Sequence, residues 1–313
     1  MSESTHVVFG PGAVGTAVID ELQARGERVR AVSRSGANHL PEEIEQVRGD
    51  ASDTDVVRQA CDGATVVYNC VSAPYSKWGE LFPPIWSAIT EGAARAGARL
   101  VVTDNVYMYG DVGETPMMED LPYAASTRKG RIRAKLAEDL MAADAEGRVH
   151  VAIGRSSDFF GPRGRASVLG DQVFGRLAAG KRPQMIGDPD QPHSYAYLPD
   201  IGRALVVLGE REEAPGQVWH LPGLPPAPSR DYVSAAGYAA GADGKLQVAP
   251  KIMLRALGLF NADVRELGEM LYQFEQPFVV DHSKFERAFG AEVTPLEEAV
   301  EATYGWFRDN QER

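Results

Sequence analysis

The segment Gly10-Pro11-Gly12-Ala13-Val14-Gly15 follows an apolar run, His6 to Phe9, and opens a stretch of helical period. Gly10 permits a tight turn. Gly12 lets backbone amides, including those of Ala13 and Val14, approach a pyrophosphate at the positive end of a helix, and Gly15 lets helix and strand pack closely. The pattern points to a dinucleotide. At the end of the second apolar run a carboxylate would accept from the ribose hydroxyls of NAD and repel the extra phosphate of NADP. The chain carries Ser33-Arg34-Ser35 there instead. A guanidinium flanked by hydroxyls binds a 2'-phosphate through charge-assisted hydrogen bonds, so NADP is expected ahead of NAD. Asp50 and Ala51 close the third run, where Asp50 can accept from the adenine amino group or cap the next helix. Cys70 and Val71, at the end of the fourth run, are placed beside the cofactor.

Other residues offer proton or carbonyl chemistry. Asn105 can polarise a carbonyl through its amide, or satisfy backbone groups at a strand end. Tyr107 can supply a phenolic proton or serve as packing. His193 can exchange a proton near neutral pH or lie on the surface. Tyr75 and Trp78 are candidates for an aromatic wall of a substrate pocket. Residues 127–135 put five cations near the start of a helix, against the preference of its dipole. Lys129 or Arg133 either grips a ribose or an anionic substrate, or belongs to a solvated face. Cys61 and Cys70 are spaced neither as a metal pair nor as a disulfide framework, so no metal is expected and a reducing compartment suits them.

The elements that position these residues alternate. Strands are expected at His6 to Phe9, Arg28 to Ser33, Gln46 to Gly49, Thr65 to Val71, Arg99 to Thr103 and Val149 to Arg155. Helices are expected at Ala13 to Arg25, Thr54 to Ala60, Pro84 to Ala96 and Ser126 to Ala143. That alternation predicts an α/β fold with a doubly wound parallel sheet over residues 1–160. From Gly161 onward Pro and Gly punctuate the chain, which predicts a smaller, irregular substrate lobe over 161–313, with segments near 187–210 returning to the first domain.

The 313 residues include 44 acidic and 32 basic side chains, a net charge of -12, which leaves no positive field for nucleic acid or an anionic membrane. No apolar run reaches membrane-spanning length, and a strand begins within a few residues of Met1, so a cytoplasmic protein with a small-molecule substrate is expected.

Taken together the segments resemble the extended short-chain dehydrogenase/reductases, the group of nucleotide-sugar epimerases, dehydratases and ketone reductases. Val101-Val102-Thr103-Asp104-Asn105-Val106-Tyr107-Met108-Tyr109-Gly110 is similar to the family's fifth strand and its Val-Tyr-Gly turn. Ile153-Gly154-Arg155-Ser156-Ser157-Asp158-Phe159-Phe160-Gly161-Pro162 is similar to its Leu-Arg-Pro-x-Asn-x-Tyr-Gly-Pro segment. Gly187-Asp188 and residues 193–201 resemble its Gly-Asp and Arg-Asp-Phe-Val-Tyr-Val-Asp-Asp pattern. The resemblance places Ser157 near the nicotinamide and Asp158 at the substrate, and implies a homodimer through residues 84–96 and 126–143. It also implies a catalytic Tyr four residues before a Lys, yet no lysine here has a tyrosine at that distance. Alignment on Lys135 and Glu138 sets Gly130 and Ala134, or Arg131 and Lys135, at those two positions, and Asn105 at the serine position. His193 stands where an arginine would pair with a sugar-nucleotide diphosphate. The expected activity is an NADP-dependent reduction of a small carbonyl, imine or activated double bond with a non-standard proton donor. The alternatives are a non-redox protein that senses NADP and an isomerase or lyase that uses the cofactor transiently.

Overall fold

The computed structural model describes residues 4–249, 266 and 268–311. Seven parallel strands form the central sheet: β1 (Thr5–Phe9), β2 (Arg28–Ser33), β3 (Glu45–Arg48), β4 (Val66–Asn69), β5 (Arg99–Asp104), β6 (Val151–Arg155) and β7 (Gln217–His220). They lie in the order β7-β6-β5-β4-β1-β2-β3, so the chain winds outward from β1 in one direction and then in the other. The ends of β1, β2 and β4 are held level by the pairs Phe9–Val32 and Phe9–Asn69. A ligand site opens where the winding reverses, beyond the carboxyl ends of these strands.

Both faces are covered, which is why the central strands are apolar throughout. Helices α1 (Ala13–Ala24) and α5 (Leu198–Glu210) seal one face over Val8, Ile19, Leu22, Ile201 and Leu205. The other face is sealed by α2 (Thr54–Cys61), α3 (Trp78–Ala96) and α4 (Arg128–Ala145) over Val67, Ile89, Leu100, Leu136 and Ile153. A second apolar cluster sits in the carboxyl-terminal lobe. There α6 (Ser229–Ala239) and α8 (Leu296–Asp309) pack on Phe160, Phe174, Tyr195 and Tyr232. Between these two helices in sequence lies α7 (Ser283–Phe289), which packs its Phe285 and Phe289 rings against Trp219 of β7.

Two expectations change. Helix α3 begins at Trp78 rather than Pro84 and contains Pro83 and Pro84. The buried face Trp78, Phe82, Ile85, Trp86 and Ile89 outweighs the backbone bonds that the prolines remove. Strand β7, which the sequence pattern leaves in the second lobe, adds to the sheet beside β6 in the register Val218–Ile153. The outward faces of α3 and α4 carry the charged residues Glu80, Glu91, Arg95, Arg131, Lys135, Glu138 and Asp139 together with exposed Pro83 and Pro84. No helix among the described residues is long and apolar enough to cross a membrane.

Candidate active site

The glycine loop joins β1 to α1. Gly10 has φ +79°, and a Cβ there would stand 2.7 Å from the Val71 Cα and 2.9 Å from the Cys70 carbonyl. Cys70 and Val71 thus form the floor on which the loop lies. The Cys70 thiol, pushed up to about 12 by burial, is a packing group. A Cβ on Gly15 would stand 2.2 Å from the Gly10 carbonyl, so this glycine is demanded by the turn itself. Gly12 differs. Nothing of the protein lies within 4 Å of a Cβ there, so the packing of the chain does not require glycine at this point, whereas close approach of a phosphate would. Helix α1 has no side-chain cap and no acidic residue in its first turn, whereas α2 is capped by Asp53 and α4 by Thr127. The Ala13 and Val14 amides therefore remain available to an anion.

At the adenosine end the strand register sets Ser33 directly across from Arg48. Arg34 and Ser35 are exposed just beyond, and the Arg48 guanidinium donates to the Arg34 carbonyl at 3.2 Å. Two basic residues thus lie together at the carboxyl ends of β2 and β3. Arg48 is absent from the sequence-based candidates, because its closeness to Arg34 follows only from the pairing of β2 with β3. The Asp50 carboxylate accepts from the Ser52 backbone at 2.9 Å and its hydroxyl at 2.7 Å, contacts that hold its pKa below the ordinary value. Both contacts fall on Oδ1, which holds the turn and leaves Oδ2 to accept from another group. Ala51, half-buried, follows it.

On the nicotinamide side the Tyr75 and Tyr107 hydroxyls meet at 2.8 Å, and the Trp78 ring lies 5.0 Å from Tyr75 and 6.0 Å from Tyr107. These three expected residues come together. Burial first, then the charge of the adjoining Tyr75, then Asp158, pushes the Tyr107 phenol well above its ordinary value. Tyr75 is raised by burial as well. Asn105 accepts from the Tyr107 amide at 3.1 Å through its side-chain oxygen, which caps the short turn Tyr107–Tyr109 and leaves its NH2 group to donate. Asp158 and His193 form a pair at 2.9 Å, with the imidazole stacked between Tyr195 and Phe278 at 4.5 and 4.7 Å. His193 is thus a buried, oriented base partner and is 2 % exposed. Ser157, beside it, donates to the Asp158 carbonyl.

The helix that would carry the tyrosine is closed to it at Gly130. A Cβ on Gly130 would stand 2.3 Å from the Ala125 Cβ and 2.5 Å from the Tyr107 carbonyl, so no larger side chain fits. The Lys129 ammonium, expected at the ribose, is instead sealed by Glu266 and Glu269 at 2.7 Å each. Arg133 turns inward, stacked 4.4 Å from Trp78 and 4.5 Å from Phe82, and pairs with buried Asp104 at 3.2 Å. Asp104 also receives Arg155 at 3.3 Å, whose other nitrogens donate to the Tyr109 and Tyr123 hydroxyls. These cations are taken up in buried ion pairs, and Arg133 also packs on the Trp78 ring that borders the two phenols. No group of three or more His, Cys, Asp or Glu residues suited to a metal occurs among the described residues.

The profile of the NAD dependent epimerase/dehydratase family matches residues 7–221. No curated protein matches the sequence. The chain is similar to the UDP-glucose 4-epimerase of Thermotoga maritima solved with UDP-glucose, with TM-score 0.79, 18% identity, and coverage of 98% of this chain and 100% of that one. It is similar to the dTDP-glucose 4,6-dehydratase of Bacillus anthracis in complex with NAD, with TM-score 0.78, 15% identity, and coverage of 99% and 98%. The UDP-glucose 4-epimerase of Thermus thermophilus in complex with NAD gives TM-score 0.78, 18% identity, and coverage of 98% and 99%. At these identities the structures share a fold.

Proposed function

We propose, from the premise that the chain belongs to the NAD dependent epimerase/dehydratase family, that it is an NADPH-dependent reductase of a small carbonyl, imine or activated double bond. The glycine loop and the open space at Gly12 fit a pyrophosphate, and Arg34 with Arg48 fits a 2'-phosphate. Bound NADPH supplies a hydride. The chain's own task is then to align the acceptor and deliver a proton. Tyr107 Oη holds that proton, with Tyr75 Oη as its hydrogen-bonded reserve and the Asn105 amide free to orient the acceptor oxygen.

The observation that carries this reading is the Tyr107 hydroxyl bonded to that of Tyr75 at 2.8 Å, with the Lys129 ammonium taken by two carboxylates. Starting an epimerase or dehydratase cycle by oxidising an alcohol needs a base, and a phenol held protonated is a poor one. The raised pKa of Tyr107 also makes it a weak acid, but one that carries its proton throughout the neutral range, so it can serve reduction where alignment of the acceptor carries the rate. The Asp158–His193 pair and the aromatic wall of Tyr75 and Trp78 would border the substrate.

The test is a titration with NADPH and NADH, followed by energy transfer from tryptophan to the reduced nicotinamide, then a screen of carbonyls, imines and enones. Arg34→Ala should weaken NADPH at least about tenfold and leave NADH unchanged, as loss of one charge-assisted contact requires. Tyr107→Phe should lower kcat about 100-fold, and the wild-type rate should stay flat from about pH 6 to 9 because the donor never deprotonates there. Tighter NADH binding would overturn the NADP preference, and binding of neither nucleotide would end the oxidoreductase reading. The sealing of Lys129 by two carboxylates also suits a protein that only senses the cofactor. NADPH binding with no turnover across the screen is the outcome that selects it.

A further inference from the structure

The loop that leaves β2 carries Arg34 and Ser35 and returns to the sheet at β3. On one side it is held by β3, where the Gln46 side-chain oxygen accepts from the Ala37 amide at 3.0 Å and Arg48 donates to the Arg34 carbonyl. Ala37 and Leu40 anchor it from below, in the buried cluster that includes Val18 and Ile19 of α1. On the other side the loop reaches α1 through His39, whose Nε2 lies 3.0 Å from the Thr16 hydroxyl oxygen. Thr16 is 1 % exposed and donates to the Pro11 carbonyl at 3.3 Å, inside the glycine loop.

The direction of these bonds is fixed. A hydroxyl has one proton, and with that proton given to Pro11 the Thr16 oxygen accepts, so His39 Nε2 carries a hydrogen and donates. Proline has no amide hydrogen, which leaves its carbonyl as the polar group by which Pro11 is tied down. The His39 residue itself is exposed, so it adds little to the core and contributes chiefly this bond. Two hydrogen bonds in series therefore join segments that differ in their part of the nucleotide. The Pro11 end belongs to the loop suited to the pyrophosphate, and the His39 end to the loop whose Arg34 suits a 2'-phosphate.

We propose that His39 is a positioning residue for the nucleotide. By tying the loop of Arg34 to the glycine loop through Thr16 and Pro11, it sets the 2'-phosphate contact at a fixed place relative to the pyrophosphate and so sharpens the choice of NADPH over NADH. The role rests on the reading of Arg34 as the 2'-phosphate contact, through which His39 acts.

NADPH and NADH are titrated against the full chain by energy transfer from tryptophan, in wild-type, His39→Leu, His39→Gln, Arg34→Ala and the His39→Leu, Arg34→Ala double variant. His39→Leu should raise the Kd for NADPH about fivefold, the scale of one lost hydrogen bond, and leave that for NADH within about twofold. The NADH arm also reports that the variant is folded. His39→Gln, whose amide still donates to Thr16, should stay within about twofold of wild-type for both nucleotides. In the Arg34→Ala background His39→Leu should have no further effect on NADPH, because the side chain it positions is gone. Equal losses for the two nucleotides would overturn the proposal, as they would mean general support of the glycine loop. Full additivity of the two substitutions would overturn it as well. A wild-type protein with no preference for NADPH removes the cofactor reading and this role together, whereas a preference that survives His39→Leu unchanged removes the role of His39 alone.

Discussion

At the scale of residues, three cations beside the phenols, Lys129, Arg133 and Arg155, are buried and paired with carboxylates. Asp104 is the pivot, with both oxygens committed to guanidinium groups and its side chain fully buried. Asp104→Asn would leave Arg133 and Arg155 facing each other's charge without a counterion. Unpaired buried charge costs about 3–5 kcal/mol, so the unfolding free energy from urea titration should fall by that amount, whereas a loss below about 1 kcal/mol would show that the network is solvated. None of this was legible in the sequence, because Arg133 and Arg155 lie 29 and 51 residues from Asp104 and nothing local marks the pairing. The glycine loop was legible, since its turn, approach and packing roles all fall within six consecutive positions. Tyr107 and Tyr75 were singled out separately, but their shared hydrogen bond required the ends of β4 and β5 to be seen side by side.

At the scale of elements, the first six strands and four helices followed from their apolar period, with shifts at the ends. The second lobe did not, since its helices are spaced by prolines and its strands are two or three residues long. The most consequential element there is the segment Gly268–Phe274, held to α4 through Glu269 by contacts that span 140 and 141 residues. Its fastening has an asymmetry that can be measured. In a Glu266→Gln, Glu269→Gln double variant the Lys129 ammonium, 1 % exposed, keeps polar neighbours and loses its counter-charges. That change should cost about 3–5 kcal/mol in urea unfolding. Lys129→Met removes the buried charge itself and leaves two partly exposed glutamates, so it should cost under about 1 kcal/mol. Equal losses in the two proteins would refute the view that a buried charge, rather than packing, is what the latch protects.

At the scale of the whole molecule, the acidic surface and the buried basic interior make stability depend on which histidines are kept neutral. His6, His39 and His220 are all held below the ordinary histidine value, in each case first by burial. For His220 the hydrogen bonds give the same answer. Arg155 donates to the Tyr109 hydroxyl, so that hydroxyl gives its own proton to His220 Nε2, and Nδ1 is left to donate to the Asp281 carbonyl at 2.8 Å. A second proton on the ring would oppose the Tyr109 donor, with Arg155 adding repulsion and Glu119 offsetting part of it. The unfolded chain, whose histidines titrate near about 6.5, then binds more protons than the folded one as the pH falls. Stability is complete above that value and declines as pH drops through it toward the lower folded values. Urea midpoints at about pH 7.5, 6.5 and 5.5 should fall in that order, before the carboxylates begin to titrate. A midpoint unchanged over this window would mean that the histidines are protonated in the folded protein, and that the relay from Arg155 to Asp281 runs in a different order.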